Sequence, residues 1–406
     1  MYFDSHVHIG CPNAKPTAEQ KEWLGYSGYV KTTPEKFIKT ALTHSVVRAL
    51  AFPFPFAECG VEKMNAEIIK VAQKYPYFFT PLLLSPTVAE LERAPDIYAG
   101  VKGHFYVQGG RDVLPNAEML EYLESKGKVY LFHAHSCSWE RHVKYITRNF
   151  KKLRVIVAHC ARLPEFVKVD PLEWVDTIHS WISKRSLDNV YFDTSNMRKP
   201  DVIRKMVERF GAEHILWGSD YPYSCAKGED VLQSEIDVIE KAVGDLPNAE
   251  LIRNGNFRRL YLSGEVEVSL ASVSDAQELS SILSNISDQD SKFLALHLKI
   301  AYVRDRVRKA SHILVARGLD NHVAGFLRWS DRSNDAMVIE ELYVHPNFRG
   351  KGIAQKLVEN LCSSFKHAEA KSFAENASVA HVFKSQGFTP RYTPKGTMIN
   401  WRKDIK

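Results

Sequence analysis

The sequence predicts a (β/α)8 TIM barrel followed by a smaller mixed α/β domain, and three observations predict it. The chain has 406 residues, more than one domain of ordinary size holds. Short apolar runs alternate with amphipathic stretches as far as about residue 262. The pattern changes near Tyr261, where Leu262-Ser263-Gly264 separates it from a second unit. The expected domains are therefore residues 1–264 and 265–406.

The strand candidates of the first domain are Tyr2–His8, Val46–Pro53, Phe78–Leu84, Gly100–His104, Val129–His133, Arg154–His159, Val190–Asp193 and Ile215–Ser219. Polar amphipathic segments such as Asn65–Lys74 and Ala117–Lys126 lie between them. Strands alternating with helices imply βα units and a parallel sheet. Eight of them in about 260 residues is the size of a closed barrel. A doubly wound sheet competes, but it needs a Gly-rich phosphate loop after the first strand, and none is present. Beyond the break, Val266–Leu270 reads as a strand, and a serine-rich stretch carries helical patterning through Ser291. Ala336–Val344 follows as a strand and Gln355–Phe365 as an amphipathic helix. No internal repeat or low-complexity tract interrupts either unit. The linker is short, so the domains are expected to touch.

Composition narrows the class. Hydrophobic residues make up 45% and charged residues 25%, the proportions of a soluble globular protein, which excludes a disordered or fibrous chain. Subtracting 48 acidic from 54 basic residues leaves +6, spread without a basic block. Neither nucleic acid nor an anionic membrane is an expected partner. No apolar run approaches the roughly 18 residues of a membrane-spanning helix. The N-terminus lacks the basic and apolar regions of a secretory signal. A histidine motif beginning at His6 leaves no room for a removable leader. Six cysteines without a CxxC pair suit a reducing cytoplasm. The expected partners are small-molecule substrates and, at most, a second copy in a homodimer.

Chemistry gathers at the strand ends. His6 and His8 sit two apart on the first strand, so both imidazoles point to one face. Barrel strands converge at their C-terminal ends on one site. Three further strands finish at or beside His133, His159 and Asp220, and the fourth adds Lys102 and His104. Imidazole and carboxylate suit a divalent metal such as zinc, and an open position for water makes the site catalytic. A lone buried histidine is commonly a satisfied core residue; four strand ends carrying such groups are harder to explain that way. His44, His142, His179 and His214 fall in helices or loops and are read as structural.

These residues carry a resemblance. Asp4-Ser5-His6-Val7-His8, Phe132-His133, Val157-Ala158-His159, Trp217-Gly218-Ser219-Asp220-Tyr221-Pro222 and Asn254-Gly255-Asn256 resemble the amidohydrolase-related metal-dependent hydrolases. That group also includes aromatic-acid decarboxylases of the carboxymuconate-semialdehyde type. The resemblance spans residues 1–262 and implies His6, His8, His133 and Asp220 as metal ligands, with His159 as the acid/base. His135 shares a strand face with His133 and is the alternative ligand. The metal would be zinc, with manganese or iron as alternatives. Binuclear members of the superfamily carbamylate a lysine at the end of strand four, where Lys102 falls; the resemblance favours one metal, with Lys102 and His104 contacting substrate. Cys11, Cys137, Cys160 and Cys225 closely follow site residues and are read as small apolar fillers. Hydrolysis of an amide or related C–N bond and decarboxylation use the same ligands, and the sequence leaves both open.

In the second domain, Arg349-Gly350-Lys351-Gly352-Ile353-Ala354 joins a strand to a helix. Glycines there expose N–H groups at the positive end of the helix dipole, a cradle for pyrophosphate. With Glu340-Glu341-Leu342-Tyr343-Val344-His345-Pro346, this segment resembles the acetyl-CoA motif of the GNAT acyltransferases, and Asn376 and Gly387-Phe388 match a later motif. The resemblance covers residues 265–402. It implies that Leu342, Tyr343 and Val344 hold the pantetheine arm through their backbone, and that Arg349–Ala354 hold the pyrophosphate. Glu340, Glu341 or His345 would take the amine proton. Phe383 stands where the family often has a tyrosine that protonates the thiolate. The domain is accordingly either an N-acetyltransferase or an acetyl-CoA sensor that regulates the barrel.

Overall fold

Eight parallel strands, hydrogen-bonded in chain order, form the first sheet of the computed structural model. It describes residues 1–9, 33–55, 60–105, 107, 113–133, 139–161, 169–182, 188–223, 230–262, 266–284, 286, 312–318, 322–332, 336–392 and 398–405. The strands are β1 (Tyr2–His8), β2 (Val46–Phe52), β3 (Phe79–Leu84), β4 (Gly100–His104), β5 (Val129–His133), β6 (Arg154–Val157), β7 (Val190–Asp193) and β8 (Ile215–Leu216). Runs such as Phe79–Leu84 are buried at every position, as strands covered on both faces must be. The covering helices are α1 (Pro34–Thr43), α2 (Val61–Lys74), α3 (Val88–Arg93), α4 (Ala117–Ser125), α5 (Trp139–Asn149), α6 (Pro171–Ile182), α7 (Pro200–Phe210), α8 (Val231–Val243) and α9 (Asn256–Tyr261). Thr33 and Asn116 cap α1 and α4 by accepting from the amides of Lys36 and Met119, which satisfies donors the helix leaves open.

Two strands stop earlier than the apolar runs suggest. β6 ends at Val157 because His159, Cys160 and Ala161 take φ of 58°, 50° and 54°, a left-handed turn that cannot continue a strand. β8 ends at Leu216, yet the chain beyond still joins the barrel. The amide of Ser5 donates to Trp217 O at 3.0 Å, that of Asp220 to His6 O at 2.9 Å and that of His8 to Tyr221 O at 2.8 Å.

The second domain is a seven-stranded sheet in the order β14-β15-β13-β12-β11-β10-β9. Its strands are β9 (Val266–Leu270), β10 (Ile313–Gly318), β11 (Val323–Arg332), β12 (Ala336–Val344), β13 (His367–Phe373), β14 (Thr389–Tyr392) and β15 (Met398–Asp404). Its described helices are α10 (Ala276–Ser284), α11 (Ile353–Cys362) and α12 (Ala377–Ser385). β12 and β13 run parallel and pair only from Ala336–Ile339 to His367–Ala370. They then part, so Glu340–Val344 presents backbone to a wedge.

The domains touch, as a short linker requires; Ser263 and Gly264 themselves lie outside the described residues. Arg48 of β2 donates to Val268 O at 3.2 Å and to Pro76 O at 3.1 Å. Arg258 lies 4.8 Å over the Phe3 ring and 3.4 Å from Glu267, and Ser364 donates to Lys74 O. All of these barrel residues belong to the N-terminal rim, the end away from the histidines. On the other side, Ser364 follows the C-terminal end of α11, beyond the closed end of the wedge.

Candidate active site

The two imidazoles of β1 arrive at the site with their tautomers set. His6 Nδ1 donates to Asp193 Oδ2 at 2.9 Å and His8 Nδ1 donates to Pro53 O at 3.2 Å. Both acceptors lack a proton to give, so Nε2 of each ring carries a lone pair. These lone pairs meet Asp220 Oδ1, 3.4 Å from His6 Nε2 and 3.5 Å from His8 Nε2. Burial pushes His6 down to about 3, with Lys102 adding to the effect, and burial lowers His8 as well. Neutral imidazoles are the form that binds metal. Burial opposes ionisation of Asp220, but His159, His8 and His6 outweigh it and hold the carboxyl below its ordinary range.

Asp220 owes its position to a short irregular segment. Its φ is 59°, a left-handed conformation that Asp tolerates better than most residues. The preceding turn hangs on Asp4, which accepts from the Ser219 amide at 2.9 Å and the Ser219 hydroxyl at 2.5 Å. Burial pushes Asp4 up to about 7 despite these bonds. Gly218 is required by close approach, because a Cβ there would stand 3.0 Å from His6 Cβ and 3.1 Å from Ser5 Oγ.

Across the site, His159 Nδ1 donates to Ser195 O at 2.9 Å, leaving Nε2 as the accepting nitrogen. That atom lies 3.1 Å from His133 Nδ1. Burial, then neighbouring His104 and His159, keeps His133 well below the ordinary imidazole range. Lys102 Nζ lies 2.9 Å from His6 Nε2 and 4.5 Å from the centre of the Phe52 ring. Burial brings its ammonium down to about 7. His104 stacks on Phe105, and Phe54 and Tyr223 flank His8. The site is thus a polar floor with aromatic walls.

The donor set fits a divalent metal. His6, His8 and Asp220 bring one ligand atom each within 4.8 Å of one another, and His6, His159 and Asp193 form a second such trio. Lys102 Nζ now faces the His6 lone pair that a metal would need. His133 belongs to neither trio and faces His159 instead.

In the second domain, β12 carries a bulge opposite Arg328 and Trp329, which sets Glu340 outward and Glu341 inward. Both oxygens of Glu341 are bound by Arg328, at 2.9 and 2.8 Å. Glu340 is exposed and accepts from Ser330 at 2.6 Å. Leu342–Val344 line the open edge of the wedge. Gly350 and Gly352 have φ of 78° and 74°, and a Cβ added at either meets no described atom within 4 Å. Gly352 opens α11 without a side-chain cap, so the amides of Ile353 and Ala354 belong to the uncapped first turn. Arg349 reaches back to Val344 O at 3.0 Å, and Lys351 lies 5.6 Å over the Phe348 ring. Asn376 caps α12, accepting from the Val379 amide at 3.1 Å.

The sequence model of the amidohydrolase family matches residues 3–262. The chain belongs to the amidohydrolase family. That of the acetyltransferase (GNAT) family matches residues 280–388, so this amidohydrolase carries a GNAT domain at its C-terminal end. No curated protein matches the chain. Among solved structures, it is similar to a probable 2-pyrone-4,6-dicarboxylic acid hydrolase from Acinetobacter baumannii with citric acid bound. The identity is 18% and the TM-score 0.52, over 64% of this chain and 98% of that one. A 2,6-dihydroxybenzoate decarboxylase from Rhizobium matches at 16% identity and TM-score 0.48, over 64% of this chain and 99% of that one. A GNAT-family acetyltransferase from Streptococcus pneumoniae matches 35% of this chain and all of its own, at 16% identity and TM-score 0.31.

Of the expected site residues of this amidohydrolase, the structure gathers His6, His8, Lys102, His104, His133, His159 and Asp220 into one cluster. His135, Cys11, Cys137 and Cys225 lie outside the described residues, and Cys160 is buried. His142 Nε2 donates to Val113 O and His214 Nδ1 donates to Val190 O, both away from the cluster. Asp193 was not anticipated. The signal was there: it closes a strand in the same layer as His133. No described helix is long and apolar enough to cross a membrane.

Proposed function

We propose that the barrel is a metal-dependent hydrolase that opens an amide or related C–N bond in a small molecule. The observation that carries this reading is the convergence of His6 Nε2, His8 Nε2 and Asp220 Oδ1, with the far nitrogen of each ring already bonded. Held by these atoms, a divalent ion, zinc before manganese or iron, would act as a Lewis acid and activate a water near neutral pH. His159 would be the acid/base: Ser195 O fixes its ring through Nδ1, and Nε2 would take and return a proton once it gives up the bond it accepts from His133 Nδ1. Lys102 and His104 offer N–H groups to a polar or anionic end of the substrate. Phe52, Phe54, Phe105 and Tyr223 shield the site from bulk water.

A second reading, non-oxidative decarboxylation of a carboxylated ring, is favoured by those aromatic walls beside a buried lysine. Metal content of the purified protein, with that of a His6→Ala, His8→Ala double variant, tests the shared premise. One bound ion per chain, lost in the variant, supports it, and no uptake on reconstitution overturns it. Cleavage of an amide panel, against CO₂ release from aromatic acids, then separates the two reactions.

The second domain, in the same proposal, moves an acetyl group from acetyl-CoA to a primary amine. The amine nitrogen attacks the thioester carbonyl, the C–S bond breaks, and CoA leaves as a thiolate that takes up a proton. Glu340 is the stronger candidate for the amine proton, because both oxygens of Glu341 are committed to Arg328; His345 is the other. Backbone of Leu342–Val344 and the cradle at Arg349–Ala354 hold the cofactor. Thiol release across an amine panel tests transfer. Tight acetyl-CoA binding with no release favours a sensor instead.

A further inference from the structure

Asp193 ends β7, is fully buried, and gives each of its oxygens to a different histidine. Oδ2 accepts from His6 Nδ1 at 2.9 Å. Oδ1 accepts from the amide of His159 at 3.0 Å, from the amide of Ser195 at 3.2 Å and from the Ser195 hydroxyl. The His159 amide opens the turn in which three successive residues, His159, Cys160 and Ala161, are left-handed. Left-handed backbone is unfavourable for a residue that carries a Cβ, so this turn needs an anchor, and the Oδ1 bond is at its first residue.

We propose that Asp193 is a positioning residue that holds a metal-ligating histidine and the acid/base histidine in register with one carboxylate. The inference rests on the metal reading above. Its core is a tautomer argument. A carboxylate only accepts, so it requires the proton of His6 on Nδ1 and leaves the Nε2 lone pair facing Asp220 and His8.

Asparagine at this position separates shape from chemistry. Its oxygen stays with the three donors from His159 and Ser195, and its amide nitrogen then faces His6 Nδ1. That nitrogen donates, so His6 must accept at Nδ1 and carry its proton on Nε2, where a metal needs a lone pair. Alanine at 193 removes both bonds but imposes no tautomer. A purely structural role makes Asp193→Ala the worse variant. The tautomer role makes Asp193→Asn the worse one for metal.

The test uses the full-length chain, with zinc affinity measured by competition against a chromophoric chelator. The imidazole tautomers of the metal-free protein are read by long-range ¹H–¹⁵N correlation, with His6 identified by its loss in His6→Ala. The expected result is Nδ1–H in wild type, Nε2–H in Asp193→Asn, and zinc binding about 100-fold weaker in that variant, with Asp193→Ala between. Ser195→Ala, which leaves Oδ2 untouched, is expected to stay within about threefold of wild type, far less than a lost second-shell partner of a ligand. Wild-type affinity in Asp193→Asn, or weaker binding in Asp193→Ala, overturns the inference and leaves the metal reading standing. If wild type takes up no zinc, the metal reading falls, and the tautomer switch alone decides for or against Asp193. If Asp193→Asn does not fold, an Nε2–H His6 in wild type still overturns it, and Nδ1–H with an unchanged Ser195→Ala supports it.

Discussion

His133 Nδ1 lies 3.1 Å from His159 Nε2, and since His159 Nδ1 donates to Ser195 O, His133 must be the donor of this pair. The bond turns His133 toward His159, the proposed acid/base, rather than toward the trio of His6, His8 and Asp220. Its removal should therefore divide metal binding from turnover. His8→Ala is expected to abolish zinc uptake. His133→Ala is expected to weaken it less than about tenfold, while turnover falls by about 10²–10⁴, the range for disturbed acid/base catalysis. Equal loss of metal in both variants would place His133 among the ligands, as the family resemblance implies.

Glu235 on α8 predicts a pH dependence. Burial pushes its carboxyl from 4.5 up to about 8; Arg198 opposes the rise, and Asp220 and Asp4 add to it. Between these values the native state keeps a proton that the unfolded chain has released. The sign follows from linkage: its contribution to stability is complete below about pH 4.5 and is lost as pH rises through 8. In chelator, so that no cation perturbs Asp220, the melting temperature of wild type should fall over this window. Glu235→Gln should flatten the fall. Parallel curves for the two proteins would refute the assignment.

The site was legible in proportion to how far strands alone place it. His6, His8, Lys102, His104 and His133 stand within strands, where alternation and barrel convergence predict their direction, although β1 shifts register against β2 between Asp4 and Val7. His159 and Asp220 reach the same cluster by left-handed backbone, which no apolar pattern encodes. Asp193 was missed because its partners, His6 on β1 and His159 in the turn after β6, lie 187 and 34 residues away. In the second domain, the glycine cradle is local and was readable. Glu341 and Arg328 are cross-strand partners beside a bulge, where the register shifts between Arg328 and Trp329, and a bulge leaves little trace in a hydrophobic pattern.

Arg48 joins the two domains at the rim of the barrel opposite the histidines. Its guanidinium serves Val268 O, Pro76 O and Thr80 Oγ1. Arg48→Met keeps the stem's packing and strands these acceptors, at a cost of about 2–4 kcal/mol for bonds to a charged donor. Calorimetry should show a lowered transition that separates into two, one for each domain. Zinc affinity should be unchanged, because nothing in this contact reaches the C-terminal ends of the strands. A single unshifted transition would show that the contact contributes little to holding the domains together.

Phe383 supplies the last prediction. It occupies the position where the GNAT resemblance expects a thiolate-protonating tyrosine, yet its ring is only 1% exposed. It packs 5.2 Å from Phe388 and 5.7 Å from Trp401, centre to centre. A hydroxyl added there enters an aromatic core rather than the wedge beside Leu342–Val344. Phe383→Tyr should therefore cost about 1–3 kcal/mol for a buried hydroxyl without a partner. It should leave the rate of thiol release from acetyl-CoA unchanged. Thermal melting and a thiol assay on the same preparation measure both. A tenfold faster release would mean that residue 383 faces the thioester and that its phenylalanine is what slows this domain.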